Sequence, residues 1–147
     1  MTIISGPDVK KGTVDDIGSQ TDIFKTFLSL ANIKSKFSSI DSFDLSETIR
    51  KGKPSKRKFI PYFVGSELRA FRYKDHKIHF ITQGAYNMPP PRELHKKPLL
   101  YDLSKDIGES QDISEIDTKT LEILIKESEL FKKDLIIRKS IVDVQFQ

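Results

Sequence analysis

An α+β fold, a four-stranded antiparallel sheet packed against a long C-terminal helix, is predicted for these 147 residues by three observations. Three aromatic and β-branched runs, 59–64, 68–73 and 77–82, follow one another with only Gly65-Ser66-Glu67 and Lys74-Asp75-His76 between them. A fourth run, 99–103, comes after the Pro89-Pro90-Pro91 loop. Beyond it, Leu121, Leu124, Ile125, Phe131 and Leu135 recur at helical spacing against Glu122, Lys126, Glu129 and Lys133.

In chain order, Ile3 and Ile4 before Gly6-Pro7 predict a short strand ending at a turn, with Lys10-Lys11-Gly12 as a second turn. Thr21 or Asp22 is placed to cap a helix, because a short side-chain oxygen accepts from an unpaired N–H of the first turn. Ile23, Phe24, Phe27, Leu28 and Leu30-Ala31 then share one face, and Asn32 is a fair stop. Segment 34–46, rich in Ser and Asp with isolated Phe37, Ile40, Phe43 and Leu45, reads as an irregular connection and a domain boundary. Side chains alternate across a strand, so Leu68, Ala70 and Arg72 oppose Arg69, Phe71 and Tyr73, while Ile78 and Phe80 oppose His79 and Ile81. Both faces carry apolar residues, which predicts a sheet partly covered on each side. Asp117 or Thr118 caps the second helix, and 136–146 reads as a closing strand or extended tail.

Composition narrows the class. Hydrophobic residues make up 37% and charged residues 31%, and no apolar run approaches the about 20 residues that span a bilayer, so no membrane partner is expected. Residues 1–7 have neither the basic start nor the apolar centre of a secretory signal. With no cysteine, disulfides and thiolate metal sites are excluded. The net charge of +4 concentrates in 50–58, where Gly52, Pro54 and Ser55 favour a solvated linker over a polyanion-binding patch; a nucleic-acid partner is not expected.

Four segments together resemble one enzyme family. Gly18-Ser19-Gln20-Thr21-Asp22, continuing through Thr26 to Leu30-Ala31, is similar to a sulfatase helix with a recurring aspartate, threonine and leucine-alanine end. Asp41-Ser42-Phe43-Asp44-Leu45-Ser46 is similar to a DGxDLS turn, with Ser42 where the family prefers glycine. Segment 70–80 resembles an AVRxGxWKxHF hairpin, and 98–109 a PLLYDLxxDxxE strand and turn. The chain is thus identified as resembling the C-terminal subdomain of an arylsulfatase. The resemblance implies that 1–40 is the tail end of an α/β catalytic domain, its strand and helix included, and that 41–147 is the C-terminal subdomain. It also implies a parent that carries formylglycine and calcium, cleaves sulfate esters, and is secreted, periplasmic or lysosomal. No cofactor is expected on these residues. The missing catalytic domain is the expected partner, and with it absent Ile3, Ile4, Phe24 and Phe27 would favour self-association. The second reading is a free-standing module whose basic segment holds anionic glycans or another chain.

What the resemblance implies for a site is a substrate rim at the end of the third strand and the loop after it. His79 is either a donor at that rim or a structural imidazole bonded to a backbone carbonyl, the commoner use. Thr82, Gln83, Tyr86 and Asn87 are rim candidates by position. No catalytic residue and no metal ligand is expected: His76 and His95 lack ligand spacing, and Asp15-Asp16 reads as a solvated turn. Asp102 and Asp106 read as strand-end residues bonding their own backbone, and Arg72 as the partner of Asp102 or Glu109.

Overall fold

The computed structural model describes residues 2–34 and 41–136. Two compact units make up the chain, Met1–Ile60 and Pro61–Gln147.

The first unit contains helices α1 (Asp22–Leu30) and α2 (Ser46–Lys51). Its α1 is inverted relative to an ordinary amphipathic helix. The residues it buries are Asp22 and Thr26, while Ile23 and Phe27 are 44% and 58% exposed. Asp22 does not cap the helix, and Thr21, the N-cap, makes no capping bond through its side chain. Instead the Asp22 carboxylate accepts from Arg57 Nε (2.7 Å) and Nη2 (2.6 Å) and from the backbone N–H groups of Phe43 (2.7 Å) and Ser19 (2.9 Å). Along the same face Thr26 Oγ1 accepts from Leu45 N (3.0 Å), and Ser42 Oγ accepts from Lys25 N (3.2 Å). A buried charge is tolerable only when paired and fully bonded, and this one is. Arg57 also donates to Asp41 O (3.0 Å) and lies 4.6 Å from the Phe43 ring centroid.

Three expectations change here. Ile3 and Ile4 form no strand, since a strand needs a ladder partner and the described part of this unit supplies none before residue 59. Ser46, the end of the expected irregular connection, opens a helix that runs into the expected basic linker as far as Lys51 and is closed by Gly52 in the left-handed region at φ 66°. Arg57, taken with its basic neighbours as solvated, is buried.

The sheet is a meander in the order β1 (Phe59–Val64), β2 (Glu67–Tyr73), β3 (His76–Thr82), β4 (Glu93–Asp102). Phe71 pairs with Ile78 and Ile78 with Leu100, and all three side chains are fully buried. Helix α3 (Thr118–Asp134) packs on β2 and β3, burying Leu121, Leu124 and Ser128. The Phe131 ring meets that of Phe71 at a tilt, 5.9 Å between centroids, and Lys132 Nζ lies 4.6 Å over the Phe80 ring. Each large apolar side chain fully buried contributes roughly 1.5–3 kcal/mol, so this row and stripe hold the second unit together. Asp117 caps α3 as expected, accepting from Thr120 N at 3.0 Å. The expected closing segment, 136–146, lies outside the described residues apart from its first.

Both outer strands carry a proline, Pro61 in β1 and Pro98 in β4. The outward groups of Leu100 are also occupied, its N–H by Asp112 Oδ1 and its carbonyl by Ile113 N, each at 2.9 Å.

Candidate functional site

The second face of the sheet, away from α3, carries Arg72, Lys77, His79 and Tyr101. Register places Ala70 opposite His79 and His79 opposite Leu99, with Arg72, Lys77 and Tyr101 as the next row. A register shift between His79 and Ile81 re-aims the end of β3, so that Ile81 pairs with Leu94 and is itself buried.

Here β3 presents Lys77 and His79 two residues apart on one face, and the turn after β4 brings a carboxylate to both. Glu109 Oε1 lies 2.6 Å from Lys77 Nζ, and Oε2 lies 2.6 Å from His79 Nε2. Burial lowers the His79 pKa, with Lys77 adding to the shift, and together they outweigh Glu109. The imidazole is therefore neutral near pH 7, and its bond to the carboxylate puts the proton on Nε2. Burial would raise the Glu109 carboxyl, but Lys77 and His79 prevail and hold it below the usual range. Tyr101 meets His79 edge-on at 5.6 Å, and Lys77 Nζ stands 4.5 Å over the Tyr62 ring. His79 is thus bonded to a side-chain carboxylate, not to the expected backbone carbonyl.

Arg72 does not pair with Asp102 or Glu109. Asp102 stands opposite His76, on the other face from Arg72, and Lys77 with His79 occupies Glu109. Arg72 Nε donates instead to Lys74 O at 2.8 Å. Asp102 and Asp106 do bond locally: Asp102 Oδ1 accepts from Ser104 N (3.0 Å), and Asp106 Oδ2 from Ser110 N (2.7 Å) and Gln111 N (2.8 Å).

A hollow of about 560 Å³ opens beside this cluster, and His79, Thr82, Gln83 and Tyr86 all line it. Thr82 Oγ1 is 2.8 Å from His95 Nε2 across the strand pair, and Gln83 Oε1 accepts from Arg69 Nη1 at 3.2 Å. Tyr86 is 98% exposed, at φ 52° in the 3-10 turn Ala85–Asn87 that also contains Asn87. Arg69, Lys77 and Tyr62 also line it and were not foreseen, nor was Glu109 as the partner of Lys77. The signal available for Lys77 was its position two residues before His79 on one strand.

Residues 55–145 match the family described as the C-terminal region of aryl-sulfatase. This chain belongs to that family. Arylsulfatase A of Homo sapiens is 29% identical to this sulfatase C-terminal region over 145 residues, covering 86% of this chain and 29% of the human protein. The Bos taurus arylsulfatase A is also 29% identical, over 84% of this chain and 28% of its own length. The chain therefore spans under a third of the curated relatives it matches. Among solved structures, the PsFucS1 sulfatase from Pseudoalteromonas sp. superposes with a TM-score of 0.64 at 20% identity, covering 76% of this chain and 25% of that one. A 2-O GAG sulfatase gives 0.59 at 22% identity, over 88% and 28%. At such identities the likeness establishes the fold, the α+β subdomain of sheet and C-terminal helix.

Sulfatases of this kind depend on formylglycine and calcium. Among the described residues no three His, Cys, Asp or Glu side chains are grouped to hold a metal ion, and the chain has no cysteine to oxidise. These side chains do not fit either group, so no chemical step is assigned to them. No helix among the described residues is long and apolar enough to cross a membrane.

Proposed function

We propose that this chain completes a sulfuric ester hydrolase without supplying its reactive groups. In this reading residues 1–40 belong to the α/β catalytic body, whose own residues carry the nucleophile and calcium, and 41–147 form the subdomain that walls one side of the substrate pocket. His79, Thr82, Gln83, Tyr86 and Asn87 would lie along the rim. Their part is to bind and orient the ester rather than to break a bond.

The observation that carries the reading is the inverted helix α1. A helix that buries Asp22 and Thr26 and turns Ile23 and Phe27 outward is built to be covered on its apolar side by more protein. A second body in the form of a catalytic domain fits that need. The alternative, a self-sufficient module binding anionic glycans through 50–58, loses support from its own cations. Arg57 is buried on Asp22, and Lys51 and Lys53 face Glu47 at 3.0 and 2.6 Å.

The test is turnover of 4-nitrophenyl sulfate. The 147 residues alone are expected to give none, whereas a chimera in which they replace the matched part of arylsulfatase A is expected to hydrolyse it. Turnover by the chain unaided, or a chimera with a cooperative thermal transition and no turnover, would overturn the proposal.

A further inference from the structure

We infer that Glu109 is a positioning residue: by accepting from Nε2 of His79 it fixes that imidazole as a hydrogen-bond acceptor, its Nδ1 lone pair left to the hollow at the end of β3. This rests on the rim role proposed above and names the residue that sets how His79 meets the ester.

The first ground is the reach of one carboxylate to two partners. Lys77 Nζ occupies Glu109 Oε1 and His79 Nε2 occupies Oε2, each at 2.6 Å. A carboxylate only accepts, so its bond to a neutral imidazole such as His79 admits one tautomer, the one protonated at Nε2. His79 lines the hollow, and among the described residues no hydrogen bond reaches its Nδ1. What the ring offers an entering ester is therefore a lone pair. A sulfate group is acceptor-only, so that lone pair turns it away from β3 and toward the catalytic body, while a donor on the alcohol side is received.

The second ground is the backbone that aims Glu109. Its φ of 54° lies in the left-handed region, which a glutamate enters only when its surroundings hold it there. They do so on both sides. Glu109 N donates to Asp106 O (3.2 Å), while Asp106 Oδ2 accepts from Ser110 N (2.7 Å) and Gln111 N (2.8 Å). Beyond them, Asp112 and Ile113 are tied to Leu100 of β4 by two bonds of 2.9 Å. Glycine would occupy position 109 without strain, yet it stands at 108, and 109 carries the carboxylate that reaches His79.

Ring-nitrogen chemical shifts of His79, recorded near neutral pH on the isotope-labelled full chain, test this. The native chain is expected to show Nε2 protonated and Nδ1 bare. In Glu109→Gln the single amide oxygen goes to Lys77, which can only donate, so the NH2 end meets Nε2 and the proton moves to Nδ1. Adding Lys77→Met releases that oxygen to His79 and is expected to restore the native pattern. In the chimera with arylsulfatase A, Glu109→Gln is expected to lower kcat and KM for 4-nitrophenyl sulfate together, about fivefold, because a donor at Nδ1 now holds the sulfate in an unproductive pose. A side chain that merely braces the sheet would move neither the tautomer nor that pair of constants. Nδ1 protonated in the native chain, an unchanged tautomer in Glu109→Gln, or unchanged constants in a working chimera would each overturn the inference. A chimera without turnover sinks the proposed function instead, and the tautomers then decide this inference alone.

Discussion

At the scale of single residues, the pairing of Asp22 with Arg57 is the most consequential contact in the first unit. Both side chains are all but inaccessible, at 1% and 4% exposure, so removing one leaves the other charged and dry. Asp22→Ala should lower the unfolding free energy by about 3–5 kcal/mol, read from urea titrations. The pair also sets a pH dependence. Burial raises the Asp22 carboxyl, but Arg57 and the N–H groups of Phe43 and Ser19 outweigh it and hold its folded pKa below the ordinary value. Its contribution is therefore complete above the unfolded pKa of about 3.9 and is lost as acid carries the pH down through the folded value. Thermal unfolding followed from pH 6 to acid should show a decline in the native chain that Asp22→Ala flattens.

At the scale of elements, α3 shows what spacing reveals and what it leaves out. Leu121 and Leu124 are buried as their helical period requires, yet the next position on that stripe is Ser128, fully buried and donating to Ile125 O at 2.7 Å. A polar residue at a core position gives no periodic signal. It fits because its side chain is small and its hydroxyl is satisfied within the helix, which sequence spacing does not report. Ser128→Leu should therefore destabilise by about 1–3 kcal/mol through overpacking, and Ser128→Ala by under about 1 kcal/mol, both measured by thermal unfolding. The meander was readable because runs of aromatic and β-branched residues alternate with short turns. The α1 network was not, since the Asp22–Arg57 pair joins residues far apart in sequence and Arg57 lies among solvated lysines. In the site, the position of Thr82, Gln83 and Tyr86 at a strand exit was legible, but Glu109, brought in by the turn after β4, required the fold.

At the scale of the whole molecule, one surface governs how the isolated chain behaves. Ile23, Phe24 and Phe27 stand at 44%, 46% and 58% exposure on one helix. Static light scattering should show mass rising with concentration, and Phe27→Asp should suppress the rise while leaving the far-ultraviolet circular dichroism unchanged; equal scattering by both proteins would contradict this.

The two prolines on the outer strands decide what form any such association takes. Neither Pro61 nor Pro98 can donate to an incoming strand, and Asp112 with Ile113 already sits on Leu100. Particles that do form should be amorphous and dissolve again on dilution, and thioflavin T fluorescence should stay flat, because the meander offers no template on which a fibril could grow.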